Sequence, residues 1–207
     1  MIRNYLYRLV ISDATSHCYK NSLACFSPGS SILDIGIGNG IMMRDFHEMI
    51  KSKALNITGI DINRKYLAHC NKMIRNFHLE DHVRIICQPI ETFEPEPGQE
   101  FDYILFSMSF MLIKDQRFVL NRLRKLIKPE GKVLFFQTMF KRRSALLDFI
   151  KPRLKYLTTV DFGVATYEED FNNLITEQKL FVEEDRMLKR EWFGGEYHLF
   201  ITHFIPE

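Results

Sequence analysis

Between residues 31 and 138, short and nearly continuous apolar runs alternate with segments whose apolar residues recur at helical spacing. No other feature of the chain restricts its fold as much. Strands covered on both faces read as unbroken apolar runs, and strands joined by helical crossovers build a parallel sheet. Five runs qualify: Ser31–Ile35, Asn56–Ile60, Val83–Cys87, Phe101–Phe106 and Lys132–Gln137. Between them, Ile41, Met42, Phe46, Met49 and Ile50 mark one helix. Tyr66, Leu67, Cys70, Met73, Ile74 and Phe77 mark a second, with Asn63 as its N-cap. Val119, Leu123, Leu126 and Ile127 mark a third, stopped by Pro129 and Gly131. The expected fold is α/β, a doubly wound, mostly parallel sheet with helices on both faces.

The flanks extend this plan. Ile2, Leu6, Leu9 and Val10, followed by Ser12 as a cap, predict one or two helices that form an N-terminal cover over residues 1–28 and end at the Ser27-Pro28-Gly29 turn. Residues 31–138 form the core. Residues 139–178 read as a helical lid broken near Pro152 and Gly163, and two β-like runs, 180–192 and 196–204, flank Gly194-Gly195 as a closing β-hairpin over 180–204. With 207 residues and no repeat, low-complexity tract or linker, a single domain over 1–207 is expected.

Composition removes several function classes. A formal charge of +2 lacks the basic footprint of nucleic-acid binding. No apolar run approaches a membrane span, and Arg3 and Arg8 interrupt the start in a way that does not suit a signal peptide, so a cytoplasmic location is expected. The four cysteines, Cys18, Cys25, Cys70 and Cys87, are widely spaced and form no metal-ligand set, which reads as reduced thiols and no metal.

The chemistry concentrates in Asp34-Ile35-Gly36-Ile37-Gly38-Asn39-Gly40, between the first strand and its helix. Glycines there let the main chain approach a ligand, and the free N–H groups of the helix start point outward. A dinucleotide fingerprint needs glycine at position 41, where Ile41 stands, and no GK[ST] follows for a phosphate loop. The second strand ends on Asp61, a carboxylate placed to accept both hydroxyls of a ribose.

These residues resemble the class I S-adenosylmethionine (AdoMet)-dependent methyltransferases, whose DxGxGxG loop after the first strand is followed by an acidic residue closing the second. Phe101-Asp102-Tyr103-Ile104-Leu105-Phe106-Ser107 is similar to the family's fourth-strand FDxVxxS segment, and Leu126-Ile127-Lys128-Pro129-Glu130-Gly131-Lys132 to its LKPGG turn. The resemblance covers roughly residues 31–138. It implies a seven-stranded sheet of order 3-2-1-4-5-7-6 with an antiparallel last strand, S-adenosyl-L-methionine as cofactor and S-adenosyl-L-homocysteine as its product. By position it assigns Gly36, Gly38 and Gly40 to the methionine and ribose parts, Asp61 to the ribose diol and Asp34 to the amino group. Tyr19 falls where relatives place an aromatic hydroxyl over the carboxylate, with ordinary helix packing as the alternative. The family's adenine-binding aspartate is replaced by Pro89, which leaves the Gln88 side chain, the Ile90 N–H and the Ile62 side chain for the adenine ring.

Ser107 and Ser109 then border the transferred methyl group, Ser109 on the acceptor side, and Ser107-Met108-Ser109-Phe110 lacks the proline-rich turn of nucleobase methyltransferases. The hairpin turn would carry Trp192 and Tyr197 to the acceptor, with Glu196 and His198 as candidate catalytic groups. The alternative is a hairpin whose aromatic residues only pack. A basic amphipathic stretch over 141–157 suits a lid, peripheral contact with an anionic membrane, or binding of an acidic small substrate. The expected activity is O-, N- or S-methylation of a small metabolite. Phospholipid amine N-methylation and a non-catalytic partner subunit stand as alternatives, and the oligomeric state is not legible in the sequence.

Overall fold

The computed structural model describes the backbone of residues 2–150, 163–191 and 194–206. In chain order the elements are α1 (Ile2–Cys25), β1 (Ser31–Ile35), α2 (Ile41–Ser52), β2 (Asn56–Asp61), α3 (Arg64–Asn76), β3 (Val83–Cys87) and β4 (Phe101–Ser107). A 3-10 turn at Phe110–Leu112 follows, then α4 (Gln116–Leu123), β5 (Ile127–Phe140), α5 (Ala145–Ile150), β6 (Thr166–Tyr167), α6 (Glu168–Glu177), β7 (Leu180–Arg190) and β8 (Glu196–Phe204).

The sheet runs β3-β2-β1-β4-β5-β8-β7, with β6 added beside the end of β5. Strands β1 to β5 pair in parallel, and β8 is antiparallel to both β5 and β7. This is the expected path, with the closing pair renumbered because β6 precedes it. Apolar side chains fill both faces. Ile32, Leu105, Phe136 and Leu199 pack under α1 to α3, while Leu33, Ile104, Phe135 and Phe200 pack under α4 and α6.

Local signals account for most boundaries. Asn63 caps α3 by accepting from the N–H groups of Lys65 and Tyr66 at 3.0 and 3.3 Å. The buried stripe of that helix is Leu67, Cys70 and Ile74. Asp115 caps α4 through Phe118 N–H at 2.9 Å, and that helix stops at Leu123, before the last residues of its apolar pattern.

Three expectations need correction. The helix at the start is one continuous element through Ser12, because no proline or glycine interrupts residues 2–25 and a serine alone does not stop a helix. Its C-terminal carbonyls meet the Lys53 ammonium, which donates to Leu23 O, Ala24 O and Phe26 O at 2.7, 3.2 and 2.7 Å. The fifth strand is longer than expected at both ends. It pairs from Ile127, and the register with β4 jumps between Phe101 and Tyr103, where Pro129 to Gly131 are accommodated. The segment read as all-helical contains β6, which pairs with Met139 and Phe140. The expected break at Pro152 and the Trp192 side chain lie outside the described residues. No helix among the described residues is long and apolar enough to cross a membrane.

Candidate functional site

The crevice lies beyond the carboxyl ends of β1 and β4, where the strand order reverses. The glycine loop enters it with Gly36, Gly38 and Gly40 all at positive φ (78°, 69° and 86°). Ile60 O accepts from Gly36 N–H at 2.8 Å and from Ile37 N–H at 3.2 Å, which binds the start of the loop to β2. Gly40 begins α2 without a side-chain cap, so no capping side chain occupies the N–H groups of the first turn. The Cys70 thiol donates to Gly38 O at 3.1 Å from beneath.

Asp61 is held by two main-chain donors. Its Oδ2 accepts from Gly38 N–H at 3.0 Å and its Oδ1 from Asn63 N–H at 2.7 Å. A carboxylate has about four acceptor positions, so each oxygen keeps capacity for a further donor. The side chain is thus fixed before any ligand arrives.

Beneath the loop is a buried polar group of residues. Asp34 is fully buried, and its Oδ2 accepts from the Tyr19 hydroxyl at 3.0 Å, while its Oδ1 has no partner among the described residues. Burial pushes the Asp34 carboxyl up to about 7; the Tyr19 bond opposes this shift and the Asp61 charge adds to it. The Tyr19 phenol, 1% exposed, is raised well above its ordinary value by burial and by Asp34. Ser107 lies beside Tyr19 and Cys18, and its buried hydroxyl has no partner of good geometry among the described residues. Tyr19 therefore supports the loop from below.

At the β2–β3 end, Ile62 is 73% exposed and follows Asp61 directly. Gln88 donates through Nε2 to Thr92 O at 2.7 Å, which leaves its Oε1 as an acceptor. Ile90 is buried, and its carbonyl accepts from Arg122 Nε at 3.1 Å, which ties this turn to α4.

At the other end, strand alternation divides the candidate acceptor residues between the two faces of the sheet. Tyr197 stacks on Phe136 at 5.7 Å and 5° on the α1 face, the face that also carries Tyr19 and Leu105. His198 lies on the opposite face, stacked on Phe200. Its Nδ1 is 2.5 Å from Asp185 Oδ1 and its Nε2 is 3.2 Å from Glu196 Oε2. Glu196 also meets Arg190 at 2.6 Å and Lys141 at 3.3 Å, and the His198 bond holds its carboxyl below the usual range against the effect of burial. The structure brings Tyr19, Asp34, Ser107 and the loop together, and it does not bring Glu196 or His198 to them. Ser109 is 8% exposed and donates to Ile35 O. Sequence reasoning missed that bond, the Cys70 contact and the Tyr19–Asp34 pair. The only signal for the last was an acidic residue inside an otherwise apolar strand.

A sheet of this order, a loop whose three glycines all have positive φ and a tethered carboxylate closing the second strand point to the class. The chain is similar to the class I, Rossmann-like AdoMet-dependent methyltransferases. The family model described as "Methyltransferase domain" matches residues 32–131. Among curated relatives, the chain is 29% identical over 163 residues to the ubiquinone/menaquinone biosynthesis C-methyltransferase UbiE of Wigglesworthia glossinidia brevipalpis, covering 76% of this chain and 60% of that protein. It is 26% identical over 180 residues to the ubiquinone biosynthesis O-methyltransferase of Erwinia tasmaniensis, covering 85% and 69%. Among solved structures, a geranyl diphosphate methyltransferase in complex with SAM superposes with TM-score 0.73 at 14% identity, over 97% of this chain and 87% of that one. The [4+2]-cyclase SpnF superposes with TM-score 0.71 at 13% identity, over 93% and 81%. At such identities the superpositions establish the fold alone.

Proposed function

We propose that the chain binds AdoMet along the β1–β2–β3 edge and catalyses transfer of its methyl group to a small-molecule acceptor, with S-adenosyl-L-homocysteine as product. The observation that carries this reading is Asp61, held by Gly38 N–H and Asn63 N–H beside a glycine loop that runs into the uncapped start of α2. The residues fit the donor. The diol of a ribose matches the remaining acceptor capacity of Asp61, exposed Ile62 offers an apolar face to a purine, and the unpartnered Asp34 Oδ1 suits an ammonium group. At the position where relatives carry an aspartate, Pro89 cannot accept from the purine amino group. Gln88 Oε1, oriented by the Thr92 bond, takes that part, while the Ile90 N–H is a donor suited to a ring nitrogen of the purine.

Bound AdoMet supplies a methyl carbon on a sulfonium whose leaving group is already activated, so alignment and exclusion of water carry much of the rate. Gly36 and Gly38 admit the donor to the main chain. Asp34 would hold the ammonium of the donor through its unpartnered Oδ1, as a carboxylate whose proton has passed to solvent. The stacked Tyr197–Phe136 pair is buried on the α1 face, and its uncovering would offer an aromatic surface to a planar or apolar acceptor. The relatives named for ubiquinone and menaquinone biosynthesis support a small-molecule acceptor, and the chain spans only 60% of the length of the first of them.

A second reading rests on the rim past β5. A cavity of about 440 Å³ there is lined by Phe140, Lys141, Arg142, Ser144, Leu146, Leu147 and Gly194, and Leu146 is 68% exposed. Cations beside exposed apolar side chains suit contact with an anionic membrane and a phospholipid amine as acceptor. Flotation with phosphatidylglycerol vesicles separates the two readings, and failure to bind removes the lipid one. Titration calorimetry with AdoMet and S-adenosylhomocysteine tests the donor itself. One saturable site is expected, and a folded sample that binds neither overturns the proposal.

A further inference from the structure

The strand order places Ser109 where an acceptor would lie, yet its side chain turns the other way. Met108, immediately after β4, has a left-handed backbone (φ 57°), and its N–H pairs with Phe136 O at 2.8 Å. The chain doubles back there and carries Ser109 under the end of β1. Its hydroxyl donates to the carbonyl oxygen of Ile35, the last residue of that strand. A Cβ placed on Gly36 would stand 2.6 Å from Ser109 Cβ and 3.2 Å from Ser109 Oγ, so the two residues interlock without spare room. The next N–H, that of Gly36, donates to Ile60 O at 2.8 Å. Both polar groups of the Ile35–Gly36 peptide are therefore engaged, one by β2 and one by the segment after β4.

We propose that Ser109 is a positioning residue for the glycine loop: it fixes the first peptide of the loop for the methionine end of the donor and makes no contact with the acceptor. The proposal rests on the donor reading above. Two features make a selective effect expected. The ribose carboxylate Asp61 is secured separately, through Gly38 N–H and Asn63 N–H, and the purine end is tied to α4 through Arg122. Losing the Ser109 bond frees only the Ile35 carbonyl, which lies at the opposite end of the loop from those supports.

The test compares two ligands of different reach. Adenosine occupies only the ribose and purine positions, whereas S-adenosylhomocysteine also fills the methionine position. By titration calorimetry, Ser109→Ala is expected to weaken S-adenosylhomocysteine about tenfold and to leave adenosine within about twofold of the parent. Ser109→Cys keeps a weak donor toward Ile35 O and is expected to fall between the two. It also carries the test if Ser109→Ala does not fold. Equal loss of both ligands would show a general loosening and overturn the proposal, as would no loss of either. A parent protein that binds adenosine and S-adenosylhomocysteine equally removes the methionine subsite and the proposal with it. A folded parent that binds neither removes the donor reading itself.

Discussion

The two ends of the ligand-facing edge handle charge in opposite ways. At the β1–β2 end, carboxylates are buried or tethered and still have capacity to spare: Asp34 Oδ1 is unpartnered and Asp61 has only main-chain donors among the described residues. At the β5–β8 end the charges of the Glu196–His198 cluster are matched, and the neutral Gln137 Oε1 is an unpartnered buried atom there among the described residues. Glu196 meets Arg190, Lys141 and His198, and His198 meets Asp185 as well. Unpaired buried polar atoms are costly and mark places where a ligand completes the structure, whereas saturated ion pairs mainly hold elements together. The donor end is thus built for a ligand, while the Glu196–His198 cluster fastens the hairpin to the rim.

The largest test of this contrast is the pH dependence of the unliganded protein. The folded carboxyl of Asp34 titrates at about 7 against an ordinary value of 3.8. A raised carboxyl favours the protonated folded state, so its contribution is fully present below pH 4 and is lost as pH rises through 7. At roughly 1.4 kcal/mol for each pH unit between those two values, the loss is on the order of 4 kcal/mol. Urea denaturation at pH 5 and pH 8 is expected to show Asp34→Asn gaining on the parent at the higher pH. A parallel pH response of the two proteins would break the contrast at its donor end.

Next in size is Asp61→Ala, expected to weaken AdoMet by roughly 1–3 kcal/mol through loss of charge-assisted hydrogen bonds. Calorimetry checks it, and unchanged affinity removes the ribose role. His198→Ala sharpens the other end. It leaves Asp185 and Glu196 each short of a partner, so a stability loss of about 1–2 kcal/mol is expected with S-adenosylhomocysteine affinity within about twofold. If stability were unchanged while methyl transfer, followed by S-adenosylhomocysteine release, fell about a hundredfold, His198 would be the base. The smallest effect belongs to Ile62→Ala. The side chain is 73% exposed, so stability should change by less than about 0.5 kcal/mol, while AdoMet binding weakens by roughly 1 kcal/mol. Equal affinity would remove Ile62 from the purine face.

Much of the donor end was legible because its signals are local. A strand, a glycine-spaced turn and a capped helix fall within a few residues of one another, and Asn63 caps α3 as its sequence position predicts. The acceptor end was harder to read. Alternation along β8 separates Tyr197 from His198, but it does not say which of them faces α1. The pairing of Asp185 with His198 depends on β7–β8 register shifts that no single stretch of residues encodes. The two-residue strand β6 carries too short a pattern to show at all.

The sequence by itself determined the alternation of strands and helices in the parallel core, the glycine loop and the carboxylate at the end of β2, since apolar period and turn residues act over a few positions. Tertiary structure alone decided that Tyr19 would bond Asp34 from α1, that Ser109 would donate to Ile35 O, and that His198 would be enclosed by carboxylates on the far face. Each of these depends on where a strand or helix distant in sequence comes to rest. The energy that fixes them arises only when burial withdraws water from the polar groups concerned.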